Sequence, residues 1–125
     1  MFQVIAISIG ASFGAVLRWW VGVLLNDVFP SIPLGTLSVN LLGGYLIGFA
    51  ASYFAFSPGI APEWRLMLIT GFLGSLTTFS AFSIENVVLL KEGKYLLCAV
   101  SILAHVGGTI LTTLLGVASF ELLKR

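Results

Sequence analysis

The chain lacks most of what a protein surface needs to meet water. Its 125 residues include only 6 basic and 5 acidic ones, 9% in all, while 58% are apolar. A soluble domain carries about 25% charged residues, so lipid is the expected solvent. A single cysteine, Cys98, excludes an intrachain disulfide, and its place inside an apolar run suits an inert, buried thiol. There is one histidine, no paired carboxylates and no phosphate-cradling glycine loop, so no catalytic constellation is present and the chain is not expected to be an enzyme. A net charge of +1 without a basic cluster offers nothing to nucleic acid.

What is present is apolar length. A helix rises about 1.5 Å per residue, so roughly 20 apolar residues cross a hydrocarbon core about 30 Å thick. Four stretches reach that length, at residues 4–25, 35–56, 66–90 and 95–120, and residues 1–125 read as a single transmembrane domain. Backbone in hydrocarbon must satisfy its own hydrogen bonds and no strand-like alternation is seen, which predicts four helices. No basic residue precedes the first stretch, no convincing cleavage site follows it, and Arg18 interrupts it. It is therefore expected to be a retained span and not a signal peptide.

The connections carry breaker chemistry: Asn26-Asp27 with Pro30 and Pro33, Ser57-Pro58-Gly59 with Pro62, and the tight charged turn Lys91-Glu92-Gly93-Lys94. With a cytoplasmic N-terminus, the inner ends would hold Arg65, Lys124 and Arg125, and the outer turn Lys91 and Lys94. Cytoplasmic Lys/Arg excess sets topology, and so even a split predicts either insertion in both orientations or one weakly held orientation. Gly10-x-x-x-Gly14 and Gly44-x-x-x-Gly48 predict close helix contacts.

The third stretch holds the strongest signal, Thr70-Gly-Phe-Leu-Gly-Ser-Leu-Thr-Thr-Phe-Ser-Ala-Phe-Ser83. Gly71 and Gly74 weaken a helix interior. The hydroxyls of Thr77, Thr78, Ser80 and Ser83 then compete for backbone groups. Together they predict a break near the middle of the helix; an intact helix with back-bonded hydroxyls is the alternative. A break at this depth would leave unpaired carbonyls near residues 74–77, suited to a cation, and unpaired N–H groups near residues 78–80, suited to an anion. Irregular backbone survives there only inside protein or beside water, which makes the break a candidate ion site. Phe79 and Phe82 share a face of the second half, where the positive edges of their rings suit an anion, or where they simply pack.

Ser101, His105, Thr109 and Thr113 recur every fourth residue and form a polar stripe on the fourth helix, with Thr112 beside it. Singly, each hydroxyl fits a back-bond to its own helix; as a row with His105 they fit a wall of donors. Asn40 offers two donors and an acceptor, for an ion or for an interhelical bond. Arg18 would cost about 3 kcal/mol at the bilayer centre, so it is expected nearer a helix end, as an anchor or an attractor of anions. Glu85 is expected to anchor the end of its span, to pair with Arg18, or to move a proton.

With these residues in view, the chain resembles the small bacterial fluoride channels of the Fluc or CrcB family. The resemblance covers nearly the whole chain and rests on residues 10–18, on Gly35-Thr-Leu-x-Val-Asn40, on residues 70–83 and on the polar stripe. It implies an all-α membrane protein whose four transmembrane helices per chain, the third broken, form an antiparallel, dual-topology homodimer. The implied setting is the bacterial plasma (inner) membrane, which the chain crosses several times. It also implies a fluoride-selective channel that lets fluoride leave the cytoplasm passively and so relieves its toxicity. A structural sodium ion on the dimer axis is implied as well, held by the backbone carbonyls of Gly74 and Thr77 of each chain.

By the same resemblance, Phe79, Phe82, Asn40, Ser80, Ser83, Ser101, His105, Thr109 and Thr113 fall on the fluoride pathway, and Arg18 and Glu85 at its vestibule and mouth. Ser75 stands where a second glycine often follows Gly74, Ala81 where threonine is common, and His105 where some relatives carry serine. Two rival readings remain. A small multidrug exporter, also a dual-topology dimer of four-helix chains, needs an acid in its first helix, and none precedes Asp27. The other is a helical assembly subunit that transports nothing.

Overall fold

A computed structural model describes residues 1–125. Its first two spans are α1 (Phe2–Leu25) and α2 (Leu34–Phe56), and its last is α5 (Tyr95–Leu123). Between them lies a third span, Pro62–Lys91, in two pieces. Its first half, α3 (residues 62–76), joins a turn at Pro62–Arg65, a π-helical stretch Leu66–Leu73 and a closing turn Gly74–Leu76. Its second half is α4 (Phe79–Lys91). All four spans are long and apolar enough to cross a membrane.

The helices run slightly past the expected spans, most of all at the start of the third, where Pro62 takes the first helical position and Glu63 lies in the first turn. Proline is tolerated there because its missing N–H would have no partner in the helix anyway. The turn after α4 closes at Gly93, whose φ of 73° only glycine adopts freely. The N–H groups of Gly93 and Lys94 bond back to Leu90 and Leu89.

Only 22 of the 125 residues are buried, too few to organise a water-soluble domain, and large apolar side chains cover the outside of every span. The helices pair as α1 with α3 and α2 with α5. Glycines make both seams. A Cβ on Gly10 or Gly14 would collide with the backbone of Met67 and Phe72 or with Ser75, and one on Gly71 would meet the Ile7 carbonyl oxygen. In the other seam, Gly44 and Gly48 lie against Thr109 and Thr113, and Gly116 lies against Tyr45 and Phe49. Helices in lipid associate through such close packing. The small core sits where the seams meet: Val39, Leu73 and the fully buried Leu76, packed by Leu17, Val21, Leu46 and Phe72.

Candidate functional site

The helix of the third span ends at Leu76. Thr77 (φ −82°, ψ 154°) and Thr78 (φ −147°, ψ 115°) are extended, and the helix resumes at Phe79. Threonine is a β-branched residue comfortable in that geometry, and its hydroxyl can close the helix ends it interrupts. Thr77 Oγ1 donates to the Leu73 carbonyl at 3.0 Å, beside the Thr77 N–H at 3.1 Å. Thr78 is the N-cap of α4, its Oγ1 accepting the Ala81 N–H at 3.2 Å.

Asn40 of α2 holds the gap open. Its Oδ1 accepts the Thr78 N–H at 2.8 Å and its Nδ2 donates to the Thr78 carbonyl at 3.1 Å, so one amide takes both polar groups of one extended residue. The same Nδ2 lies 3.1 Å from His105 Nδ1 on α5. The Phe82 ring leans on the His105 ring, with centroids 4.5 Å apart, and Phe79 follows at 5.4 Å from Phe82.

These groups surround a cavity of about 490 Å³, whose lining includes Asn40, Thr77, Thr78, Phe79, Phe82, His105 and Thr109. A second cavity, of about 560 Å³, is lined by Arg18, Asn26, Thr36, Thr78, Ala81 and Glu85. Thr78 borders both. The break in the third span therefore lies between one chamber of aromatic rings and donors, here called inner, and a second, called outer, that carries both charges.

Of the expected site residues, the structure brings Asn40, Phe79, Phe82, His105 and Thr109 to the inner cavity, and Arg18 and Glu85 to the outer one. Gly74 and Thr77 also line the inner cavity. Ser101 is buried on α5 outside its lining. Thr113 spends its hydroxyl on the Gly44 and Thr109 carbonyls, both at 2.9 Å. Ser80 and Ser83 are exposed on the single chain, Ser80 with its Oγ 3.3 Å from Thr78 Oγ1.

One alternative for Glu85 falls and two expectations are narrowed. Arg18 and Glu85 do not pair. Arg18 Nε donates to the Ser75 carbonyl at 2.9 Å, and Glu85 Oε1 accepts from Thr36 Oγ1 at 2.6 Å. A cation at the negative end of α3 satisfies a carbonyl the break would orphan. The carbonyls at residues 74–77 are thus not all free, since Ser75 is capped. Nor are the N–H groups at 78–80 all free, since Thr78 is taken by Asn40.

Sequence reasoning missed Thr36, Asn26 and Asn86. Thr36 is buried, its N–H held by Asn26 Oδ1 at 3.1 Å where Pro33, the N-cap of α2, has no side-chain acceptor. Asn86, also buried, donates to the Phe82 carbonyl at 2.8 Å and accepts the Cys98 thiol at 3.4 Å. The signal available for Thr36 was its place in the first turn of α2, within the Gly35–Asn40 motif. For Asn86 it was an amide four residues after Phe82.

The family described as "CrcB-like protein, Camphor Resistance (CrcB)" matches residues 5–117. The curated proteins to which the chain is similar include three that are each described as "Fluoride-specific ion channel FluC". That of Pseudomonas paraeruginosa is 60% identical over 119 residues, 95% of this chain and 94% of that protein. That of Tolumonas auensis is 55% identical over 125 residues, 100% of this chain and 98% of the relative. That of Chromobacterium violaceum is 52% identical over 123 residues, 98% of both.

Proposed function

Because the chain belongs to the CrcB-like family, we propose that it is a fluoride-selective ion channel, a multi-pass membrane protein and not an enzyme, through which fluoride leaves the cytoplasm passively. The carrying observation is the extended Thr77–Thr78 pair, held by Asn40 between two cavities. Fluoride is small and strongly hydrated, so a path for it must replace water with dense donors and carry no fixed charge that would trap the ion. Amide, imidazole and hydroxyl groups, the first N–H groups of α4 and the edges of Phe79 and Phe82 meet that requirement. Arg18 and Glu85 stand at the mouth, where Arg18 draws anions inward.

Asn40, Phe79, Phe82, His105 and Thr109 form the chamber in this reading. Ser80, Ser83, Ser101 and Thr113 extend the track beyond it. The exposed position of Ser80 and Ser83 suits a path that a second copy of the chain completes. We assign that copy as an antiparallel partner in the bacterial inner membrane, in keeping with the even Lys/Arg split across the spans. Reporters fused after Arg125 that signal from one side of the membrane only would refute dual topology.

A structural sodium ion on the dimer axis belongs to the same proposal, with the Gly74 and Thr77 carbonyls of both chains as its ligands. The donor set suits a hard cation: the end of α3 presents carbonyl oxygens, Gly74 is exposed, and no cluster of His, Cys, Asp or Glu competes. The purified protein reconstituted in liposomes loaded with potassium fluoride tests the function. Fluoride efflux after valinomycin is expected. Failure to pass fluoride, or proton-coupled movement of organic cations in its place, would overturn the reading and favour the exporter class.

A further inference from the structure

His105 has more to say about the chamber than its place on a stripe of polar residues. It is 4% exposed, and its Nε2 is buried with no hydrogen-bond partner in the chain. Its Nδ1 faces Asn40 Nδ2. Which end of that amide is nitrogen is fixed by the Thr78 backbone. The Thr78 N–H is only a donor and must face the amide oxygen, and the Thr78 carbonyl is only an acceptor and must face the amide nitrogen. The atom beside His105 Nδ1 is therefore a donor with its second hydrogen to give, and Nδ1 must accept it.

We infer that His105 is held as the neutral tautomer with its proton on Nε2, and that this unpartnered N–H is a donor to fluoride in the chamber. The inference rests on the proposed function and adds to it the atom, its protonation and what enforces both. A buried imidazole N–H left without an acceptor is costly to keep, and the residue that keeps it lines the cavity, its ring packed on the Phe82 ring. Asn40 thus acts twice. It props the extended Thr78 and, through Nδ1, dictates that His105 donates from its other nitrogen. An imidazolium would place N–H against N–H2 and break the link to Asn40, so the arrangement supplies a strong donor without the positive charge that would trap an anion.

The test is ¹⁵N NMR of histidine-labelled channel in lipid, simple to assign because His105 is the only native histidine, with any purification tag removed. Expected are an unprotonated Nδ1, a protonated Nε2, and a downfield move of the Nε2 proton on adding sodium fluoride that the same concentration of sodium chloride does not produce. A proton on Nδ1, an imidazolium at neutral pH, or an Nε2–H indifferent to fluoride, in a preparation that passes fluoride, would overturn the inference and leave the function standing. A wild-type preparation that passes no fluoride would remove the function and this inference together. His105→Phe keeps the ring and loses the donor, and should slow fluoride efflux at least about tenfold. His105→Gln, which restores an N–H, should recover part of the loss. Equal flux from His105→Phe and the wild type would also overturn it.

Discussion

The two halves of the third span are held in place by different chemistry. The first half, α3, is gripped by α1 backbone against backbone: Gly10, Gly14 and Gly71 leave no room for a single added carbon. The second half, α4, is held by side chains, through Asn40 on Thr78, the Phe82 ring on His105 and Asn86 beside Cys98. A close-packed seam has one arrangement and resists change. A side-chain seam can carry polar groups at chosen positions, because each is met by a partner of matching chemistry. The proposed ion chemistry gathers on the second kind of seam, and the first serves as its fixed base.

The largest effects are expected on the glycine side. Gly10→Val or Gly14→Leu forces α1 off α3, and overpacking of this severity should cost about 3 kcal/mol, read as loss of monodisperse protein in detergent. Gly107, around which a Cβ would find open space, is the control, and Gly107→Ala should be recovered at wild-type yield. If Gly14→Leu gave well-behaved, fully active protein, the fixed base would not exist.

On the polar side the expected losses are of function before fold. Asn40→Leu strips two hydrogen bonds from the Thr78 backbone and one from His105, with each stranded buried group costing about 1–3 kcal/mol. Fluoride efflux should fall by at least about tenfold while the α1–α3 seam survives. Phe79→Ile and Phe82→Ile should each slow fluoride efflux with the proposed dimer intact, as read by liposome flux and size-exclusion chromatography. They should differ in stability. Phe82 is 8% exposed and Phe79 77% exposed in the single chain, so a thermal melt should register the first and barely the second. Unchanged flux in both variants would remove the aromatic path.

Smallest of all should be Cys98→Ala. The thiol is a weak donor, and its removal leaves Asn86 anchored to the Phe82 carbonyl. A shift of under about 1 kcal/mol in stability is expected, with Cys98→Ser closer to wild type. A total loss of flux in Cys98→Ala would mean that the Asn86–Cys98 contact governs the chamber far more than its geometry supports.

The same contrast explains what could be read from the sequence. Apolar length alone located the four spans, because the thickness of hydrocarbon sets it. The break was legible because glycines and hydroxyls coincide in residues 70–83. Its place was legible too, between the carbonyls of residues 74–77 and the N–H groups of residues 78–80, although Gly71 proves to be a packing position against Ile7 and the extended pair is held by Asn40. Gly10 and Gly44 could be read as contact glycines, but not which helix each would meet. The π-helical winding of Leu66–Leu73 has no local signature in the sequence. Arg18 on Ser75 and Thr36 on Glu85 join residues 57 and 49 positions apart, and only the packed helices reveal such partners. The polar stripe of α5 was legible as a row, yet its members do different work: Thr113 fastens α2 while His105 faces the chamber.

One measurement bears on the central claim, that the extended Thr77–Thr78 pair held by Asn40 is the passage for the ion. Fluoride and chloride efflux should be followed side by side from liposomes carrying the wild-type chain or Asn40→Leu, each first shown to be folded. Fast fluoride loss with chloride retained is expected for the wild type, and little loss of either ion for the variant. Wild-type fluoride flux through folded Asn40→Leu would contradict it.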